Sequence, residues 1–158
     1  MKRYFNKYIR IVSINILVYH ISKPIFSLVV ENTKIEKQKI SINKTMYYIK
    51  KDDKIIHISY LFNSLNVLKL IRKKGPAIGD CFTDTLHRGK SIYPFVINNI
   101  ANEIVAQSKF PEVFILVNSN NKSSIKGIEK AGFILHSKIV AKRFLFFYFN
   151  KKIQYFIQ

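Results

Sequence analysis

The stretch from Ala77 to Val117, AIGDCFTDTLHRGKSIYPFVINNIANEIVAQSKFPEVFILV, decides the fold, because its hydrophobic pattern changes twice. Residues 77–83 form a short apolar run between turn residues, which is typical of a buried central strand. After Pro94 the apolar residues recur at helical i, i+3, i+4, i+7 spacing, and residues 113–117 are again a short apolar run. Strand, helix and strand in this order predict a parallel βαβ unit, whose crossover is right-handed in nearly all proteins.

The segments on either side of this unit add strands and one more helix. Residues 25–31 are rich in β-branched side chains and predict a strand, and residues 45–62 predict a hairpin that turns at Asp52 and Asp53. Downstream, residues 118–149 predict a short helix and one or two further strands. We therefore predict a single α/β (α+β) domain over the whole chain. Its mixed sheet is antiparallel in the N-terminal part and parallel in the βαβ core, with helices on both faces.

Residues 1–23 combine basic and apolar side chains, and no small-residue cleavage site follows them. Their longest apolar run is shorter than the ~20 residues that a membrane-spanning helix needs. Drawn as a helix, the segment places apolar residues from Phe5 to Tyr19 on one face and polar residues on the other. Two interpretations stay open: a helix that packs on the domain's own core, and a basic amphipathic helix on an anionic membrane surface.

The formal net charge is +18, from 27 Lys and Arg against 9 Asp and Glu. Such a charge favours a polyanionic partner: a phosphorylated cofactor, a nucleotide-linked substrate, nucleic acid or an anionic membrane. The lysines are spread along a chain that is also rich in Ile, Asn, Tyr and Phe, so compositional bias is an alternative explanation. The single cysteine, Cys81, excludes an intramolecular disulfide and fits a reducing, cytoplasmic setting. The four histidines lack metal-ligand spacing, so we predict no metal site.

The loop between the first strand and the helix of the βαβ unit has the features of an anion site. The strand ends at Thr83 and the helix begins around residues 91–94, so loop amides and the positive end of the helix dipole converge. Gly89 permits close backbone approach to a ligand, and Arg88 and Lys90 add positive charge. The loop is therefore predicted to hold a phosphate group.

Two kinds of phosphate compete for this loop. The tripeptide Gly89-Lys90-Ser91 also ends the phosphate loop of nucleoside triphosphatases, whose motif begins with a glycine five residues before the second glycine. That first position is Asp84 here, and its carboxylate would repel a triphosphate. The sequence therefore favours a different phosphate ligand.

Residues 78–133 resemble the GNAT family of N-acetyltransferases in the order and separation of four motifs: IGDCFT, RGKSIY, VFILV and NKSSIKGIEKAGF. The form RGKSIYP resembles members linked to the biosynthesis of sugars and surface polysaccharides, an analogy at the level of the fold. The resemblance implies an enzyme that uses acetyl-coenzyme A to acetylate the primary amine of a small acceptor, such as an amino sugar. The alternative is a catalytically degenerate member that binds an anionic membrane or, less in keeping with the sequence, nucleic acid.

Carried onto this sequence, the resemblance implies that backbone amides of residues 88–93 hold the coenzyme A pyrophosphate. It implies that the strand edge at residues 81–83 pairs with the pantetheine arm, where one N–H polarises the thioester carbonyl. It also implies that Asn121 reaches the pantetheine or phosphate region, with Ser124 nearby. The implied cofactor-binding residues are Cys81, Phe82, Thr83, Arg88, Gly89, Lys90, Ser91, Ile92, Tyr93, Asn121 and Ser124.

Three positions depart from the family pattern. Ser91 stands where the family has glycine, and we expect its hydroxyl to cap the helix. Tyr93 stands where the family has a small residue. Ile128 stands where many members have a tyrosine that protonates the leaving thiolate, so Tyr93 or Tyr148 is expected to take this role, or the thiolate leaves unassisted.

A base must take a proton from the acceptor amine, and five residues are candidates: Asp80, Asp84, His57, His87 and Glu103. We favour Asp80, which follows a mid-strand glycine, and His57; Glu103 is expected to be solvated. With Tyr93 as the acid, the predicted catalytic residues are Asp80, His57 and Tyr93. Cys81 is interpreted as a small core residue rather than a nucleophile.

Overall fold

The computed structural model describes residues 10–107 and 110–156, which form one eight-stranded mixed sheet in the order β2-β3-β4-β5-β6-β1-β7-β8. The strands are β1 (Val12–Ile21), β2 (Glu36–Ser41), β3 (Lys44–Lys51), β4 (Lys54–Phe62), β5 (Ala77–Thr83), β6 (Val113–Asn118), β7 (Ile134–Phe144) and β8 (Phe147–Tyr155). The helices are α1 (Ile92–Ala106) and α2 (Lys122–Lys130), and two short 3-10 helices span Asn66–Ile71 and Thr85–His87.

The predicted βαβ unit is present as β5, α1 and β6. These two strands are parallel, and every other neighbouring pair in the described sheet is antiparallel. Helices α1 and α2 pack on one face of the sheet, where Ile97, Ile100 and Ile128 are buried. The 3-10 helix Asn66–Ile71 covers the opposite face through Leu68 and Ile71. The mixed sheet with helical elements on both faces is thus confirmed.

The N-terminal helix that the sequence suggested is wrong over Val12–Ile21, because these residues form β1, an interior strand of the sheet. β1 pairs with β6 on one side and β7 on the other, and helices or side chains cover both of its faces. A strand that is buried on both faces carries apolar residues at successive positions, as Val18 and Tyr19 do here, so its pattern resembles that of a helix. Residues 1–9 lie outside the described residues.

The strand predicted at residues 25–31 is also wrong, because this segment crosses the outside of α1 without a strand partner. Asparagine side chains of α1 bind the backbone of this segment in place of a neighbouring strand. The N–H of Ile25 donates to Asn102 Oδ1 at 3.0 Å, and the N–H of Leu28 donates to Asn98 Oδ1 at 3.0 Å. A run of β-branched residues therefore did not suffice to place this segment in the sheet.

The other predicted elements are confirmed. β3 and β4 form a hairpin whose turn residues, Asp52 and Asp53, have φ angles of 48° and 58°, as a tight hairpin turn requires. The tail forms two strands, β7 and β8, and Gly132 follows α2 with a φ of 89°. No helix in residues 10–107 and 110–156 has the length and apolar character needed to cross a bilayer.

Candidate functional site

The parallel strands β5 and β6 separate soon after they meet. They are paired only where Ala77 lies opposite Phe114 and Ile78 lies opposite Ile115. Both strands continue beyond this pairing, so a gap opens between their carboxyl ends. The gap leaves one edge of β5 without a neighbouring strand, and unpaired strand edges present N–H and C=O groups to a ligand.

A cleft of about 510 Å³ lies at this gap, between the loop after β5 and the start of α2. It brings together ten of the eleven residues predicted to bind the cofactor, and Lys90 is the one that does not line it. The lining residues are Cys81, Phe82, Thr83, His87, Arg88, Gly89, Ser91, Ile92, Tyr93, Pro94, Asn121, Ser123, Ser124, Lys126, Gly127 and Lys130.

The free edge of β5 carries polar backbone groups into the cleft. The N–H of Asp84 donates to the Ile56 carbonyl oxygen on the β4 side at 2.9 Å. Backbone groups alternate between the two edges of a strand, so those of Thr83 and Cys81 point toward the gap. The Thr83 carbonyl oxygen indeed accepts a hydrogen bond from Arg88 Nε at 3.1 Å. The strand edge and the loop that follows it are therefore joined by Arg88.

The loop begins with a tight turn that uses Asp84 locally. The Asp84 carboxylate accepts a hydrogen bond from the N–H of Leu86 at 3.0 Å and lies 3.2 Å from Nδ1 of His87. The His87 contact and then the Leu86 amide lower the pKa of the Asp84 carboxyl. The carboxylate caps the turn Thr85–His87, and a turn of this kind is not the open cradle of a triphosphate loop.

The backbone after this turn leaves a run of amides without protein partners beside the cleft. Gly89 and Ser91 have φ angles of 77° and 60°, and a Cβ placed on Gly89 would meet no atom within 4 Å. Among the described residues, the N–H groups of residues 89–93 have no protein acceptor, and the first amide bonded to this loop is that of Phe95, which donates to the Ser91 carbonyl. Since the first amides of a helix are always unpaired, these donors form an anion site.

Ser91 does not cap α1 with its hydroxyl, so that expectation is wrong. A capping residue normally has an extended backbone, whereas Ser91 is left-handed and turns its side chain away from the first amides. Its hydroxyl instead accepts a hydrogen bond from Lys130 Nζ at 2.7 Å. The side chain thereby ties the loop before α1 to the end of α2.

Two lysines that the motif comparison missed, Lys126 and Lys130, line the cleft beside Arg88. Their spacing of four residues on α2 puts them on one face of the helix, and this periodicity is the signal that would have found them. At the other end of α2, Asn121 Oδ1 accepts a hydrogen bond from the N–H of Ser124 at 3.1 Å. The amino ends of both α-helices therefore meet at the cleft with three cationic side chains.

Tyr93 enters the cleft because α2 has a glycine opposite it. A Cβ on Gly127 would lie 2.6 Å from Cδ1 of Tyr93, so only glycine admits the ring. Burial raises the pKa of the Tyr93 hydroxyl far above its ordinary value, which keeps the hydroxyl protonated. Ile128 is fully buried in the core, and Tyr148 lies against the opposite face of the sheet. Tyr148 therefore lies outside the cleft, and Tyr93 is the tyrosine that lines it.

His57 lies beneath the cleft wall instead of lining it. The ring is fully buried, with Nδ1 2.8 Å from Thr83 Oγ1 and Nε2 2.8 Å from Ser59 Oγ. Burial lowers its pKa to about 4, so the imidazole is neutral at neutral pH. Burial likewise raises the pKa of the Cys81 thiol to about 12, which makes a thiolate nucleophile unfavourable. His57 can therefore reach a reactant only through Thr83.

Asp80 does not reach the cleft, because β5 bulges at this residue. Its φ of 49° coincides with a shift in the β4–β5 register, and its carboxylate turns out to Lys44 Nζ at 3.5 Å. Glu103 pairs with Lys37 at 2.7 Å away from the cleft, instead of being merely solvated. Of the predicted bases, His87 is the one that lines the cleft.

No protein-family model and no curated protein matches the sequence. Several solved structures share the fold, among them the following two. A protein from Novosphingobium aromaticivorans assigned to the GNAT family of acetyltransferases has a TM-score of 0.60 at 11% identity, over 82% of this chain and 63% of that one. A GNAT-family acetyltransferase from Colwellia psychrerythraea has a TM-score of 0.57 at 13% identity, over 85% of this chain and 57% of that one. The chain spans about six tenths of the length of either protein. The likeness confirms the predicted GNAT-like fold.

Proposed function

We propose that the protein is an N-acetyltransferase that moves the acetyl group of acetyl-coenzyme A to the primary amine of a small acceptor. The observation that carries this proposal is that one cleft holds two sets of backbone groups that no neighbouring strand or helix pairs. One set is the free edge of β5, and the other is the run of amides at residues 89–93. The GNAT-like fold supports the same reaction class.

The pyrophosphate and the pantetheine arm of coenzyme A each have a chemically matched wall in this proposal. The pyrophosphate takes hydrogen bonds from the amides of residues 89–93, with Arg88, Lys126 and Lys130 supplying charge. The pantetheine arm lies along the free edge of β5 at residues 81–83, as an added strand would. Asn121 and Ser124 close the far side of the cleft.

The chemistry follows from the same positions. An N–H of the β5 edge donates to the thioester oxygen and stabilises the negative charge that develops when the amine attacks. The amine nitrogen forms its bond to the carbonyl carbon and loses a proton to a base, for which His87 is positioned in the cleft. The carbon–sulfur bond then breaks, and the leaving thiolate takes the proton of the Tyr93 hydroxyl. The products are the N-acetylated acceptor and free coenzyme A, and return of the proton from His87 to Tyr93 through solvent restores both groups.

The proposed acceptor is a small molecule with a primary amine. The resemblance of RGKSIYP to family members of polysaccharide biosynthesis suggests an amino sugar, and a cytoplasmic location goes with an acetyl-coenzyme A donor. A screen that measures thiol release with amino sugars, amino acids and polyamines tests this choice. Turnover with another amine class and none with amino sugars would replace the acceptor and leave the reaction intact.

Thermal unfolding with and without ligand tests the cofactor. Acetyl-coenzyme A at about 100 times Kd should stabilise the fold by about 2.7 kcal/mol, which raises Tm by roughly 5–10 °C in a chain of this size. The double variant Arg88→Ala with Gly89→Asp should lose most of that shift, while the surface variant Lys39→Ala should keep it. No shift with any acyl-coenzyme A would overturn the proposal.

A second candidate, a degenerate binding module, draws on the buried Ile128 at the position of the usual acid. It predicts that acetyl-coenzyme A raises Tm but that no amine gives thiol release. Loss of activity in Tyr93→Phe would argue against it, since a module without catalysis has no activity to lose.

A further inference from the structure

The turn between β7 and β8 exposes three consecutive apolar residues, Leu145, Phe146 and Phe147. Their exposed fractions are 44%, 79% and 71%. Single exposed apolar residues are common on protein surfaces, but a contiguous group at the tip of a hairpin indicates a contact surface. No part of the proposed acetyl transfer uses this hairpin tip.

The apolar surface continues from the tip onto the adjoining sheet face. A groove of about 480 Å³ runs beside the turn, and most of the side chains that line it are apolar. Its walls include Ile14, Ile16 and Leu65 on one side and Leu145 and Phe146 on the other. The groove lies on the face opposite α1, so it is separate from the cleft.

Basic side chains lie on both faces of the hairpin behind this apolar tip. Residues 134–156, which make up the hairpin, contain five Lys and Arg and no Asp or Glu. Lys142, Lys151 and Lys152 are exposed, and Arg143 lines the groove. The five cations are Lys138, Lys142, Arg143, Lys151 and Lys152. An apolar tip with cations behind it is complementary to a partner whose outer layer is anionic and whose interior is apolar.

The strand pairings place this tip at the same end of the sheet as the cleft. β6 runs antiparallel to β1, and β1 runs antiparallel to β7. Asn118 at the end of β6 pairs with Ile16, whereas Arg143 near the end of β7 pairs with Val12. The hairpin therefore extends four residues beyond β6, which is about 13 Å of strand.

We propose that the β7–β8 hairpin docks on an anionic lipid bilayer, with Phe146 and Phe147 inserted at the interface and the hairpin cations held at the headgroups. Aromatic rings favour the membrane–water boundary, and each Lys or Arg near an anionic surface adds about 1 kcal/mol, a factor of about five in affinity. A second copy is a poor fit for the same surface, because two hairpins of five cations each repel one another. Docking would bring the cleft end of the sheet toward the membrane.

Flotation with lipid vesicles tests this proposal on the full chain without acetyl-coenzyme A, so its result does not depend on the proposed reaction. Binding is expected to vesicles of phosphatidylcholine with phosphatidylglycerol and to be at least tenfold weaker with phosphatidylcholine alone. Phe146→Ser with Phe147→Ser should weaken binding at least tenfold, since the variant has no ring to bury in the membrane at either position. The control Ile42→Ser removes an apolar residue that is 91% exposed at the β2–β3 turn and should bind as the native chain does.

The charge part of the proposal has its own matched pair. Lys151→Glu with Lys152→Glu should weaken binding at least tenfold. Arg72→Glu with Lys74→Glu makes the same change in net charge at two exposed positions before β5, at the other end of the sheet, and should weaken binding less. Equal loss in the two variants would mean that total charge, and not this hairpin, drives binding, and would overturn the proposal. Native binding by the Phe146→Ser, Phe147→Ser variant would overturn it as well.

Because the chain has no tryptophan, Phe146→Trp provides a unique reporter of insertion. Its emission should shift to the blue on vesicles that contain phosphatidylglycerol, while Ile42→Trp should not shift. An unchanged emission at position 146 would overturn the proposal. So would a native chain that does not bind vesicles but sediments as a dimer, if the Phe146→Ser, Phe147→Ser change dissociates that dimer. Binding of single-stranded oligonucleotides through this tip, with no binding to vesicles, would do the same.

Discussion

At the scale of single residues, Tyr93 and Gly127 depend on each other. The ring of Tyr93 fills the space that a side chain at position 127 would need, since a Cβ placed there would lie only 2.6 Å from the ring. This contact explains how a bulky residue stands where the GNAT pattern has a small one. It also brings a protonated hydroxyl into the cleft, which Ile128 in the core does not supply.

Tyr93→Phe should therefore separate catalysis from folding. The phenyl ring keeps its packing on Gly127, so we expect little change in Tm, while loss of the proton donor should lower kcat about 100-fold. KM for acetyl-coenzyme A should stay close to the native value. Steady-state kinetics of thiol release measures both constants, and Tyr148→Phe on the other face of the sheet serves as the control. A kcat within twofold of the native value would mean that the thiolate leaves unassisted.

His57 links the stability of the fold to pH. Its pKa is lowered by burial from 6.5 to about 4, so the folded state disfavours the protonated ring. The contribution of the neutral ring is complete above pH 6.5, and it is lost as the pH falls from there to about 4. The difference corresponds to about 3 kcal/mol of unfolding free energy.

Urea unfolding at pH 7 and pH 4 measures this linkage. The native chain should lose about 3 kcal/mol more between these two pH values than His57→Gln does, although the variant is less stable at pH 7 because Thr83 and Ser59 lose a partner. Equal losses in the two proteins would assign the pH dependence to other groups.

At the scale of elements, a side chain replaces a strand partner where residues 25–31 cross α1. Asn98 is fully buried; its Oδ1 accepts from the N–H of Leu28, and its Nδ2 donates to the carbonyl oxygens of Phe26 and Ala131. One amide thereby satisfies three backbone groups from two different segments. The extended segment is held against α1 by this residue and by Asn102.

Asn98→Ala should destabilise the fold by about 2–4 kcal/mol, because it leaves buried backbone groups without partners. The neighbouring Asn99→Ala is a matched control. Asn99 is less buried and makes its shortest bond, 2.8 Å, within its own helix, so its replacement should cost less than about 1 kcal/mol. Urea unfolding gives both values, and equal destabilisation would contradict the role assigned to Asn98.

The sequence correctly predicted the elements whose residue pattern fits a single type of secondary structure. The helical spacing after Pro94 and the short apolar runs of β5 and β6 identified the βαβ unit, and the hairpin turn at Asp52 and Asp53 was readable from its residues. β1 was not, since a strand covered on both faces loses the alternation that identifies strands. Residues 25–31 show the same limit, because whether an extended segment joins a sheet depends on distant residues such as Asn98.

The residues of the candidate site also differ in how well the sequence predicted their positions. Motif order brought together the residues that present backbone groups to the cleft, since the strand–loop–helix path fixes them. The positions of the other polar side chains near the site were less predictable. Asp80 turns away at a bulge, His57 lies under the wall, and Lys126 and Lys130 enter from α2. Such placements depend on register and on packing between elements, which short motifs do not encode.

At the scale of the whole molecule, a net charge of +18 raises the local concentration of any anion near the surface. Acetyl-coenzyme A carries several phosphate charges, so its binding should weaken as salt shortens the range of this attraction. From about 0.1 M to about 1 M salt the Debye length falls from about 10 Å to about 3 Å. Charges far from the cleft are then screened, and those in contact with the ligand are screened less.

The variants separate the general field from the local contacts. Lys126→Ala removes a cation from the cleft wall and should raise Kd for acetyl-coenzyme A about five- to tenfold at both salt concentrations. Arg72→Glu with Lys74→Glu changes the net charge more but lies before the start of β5, at the end of the sheet away from the cleft. Its smaller effect at low salt should therefore vanish at high salt. Isothermal titration at the two salt concentrations gives these four values. If the remote pair changed Kd as much as Lys126→Ala did at high salt, the cleft lysines would be part of a diffuse field and not direct ligands of the phosphates.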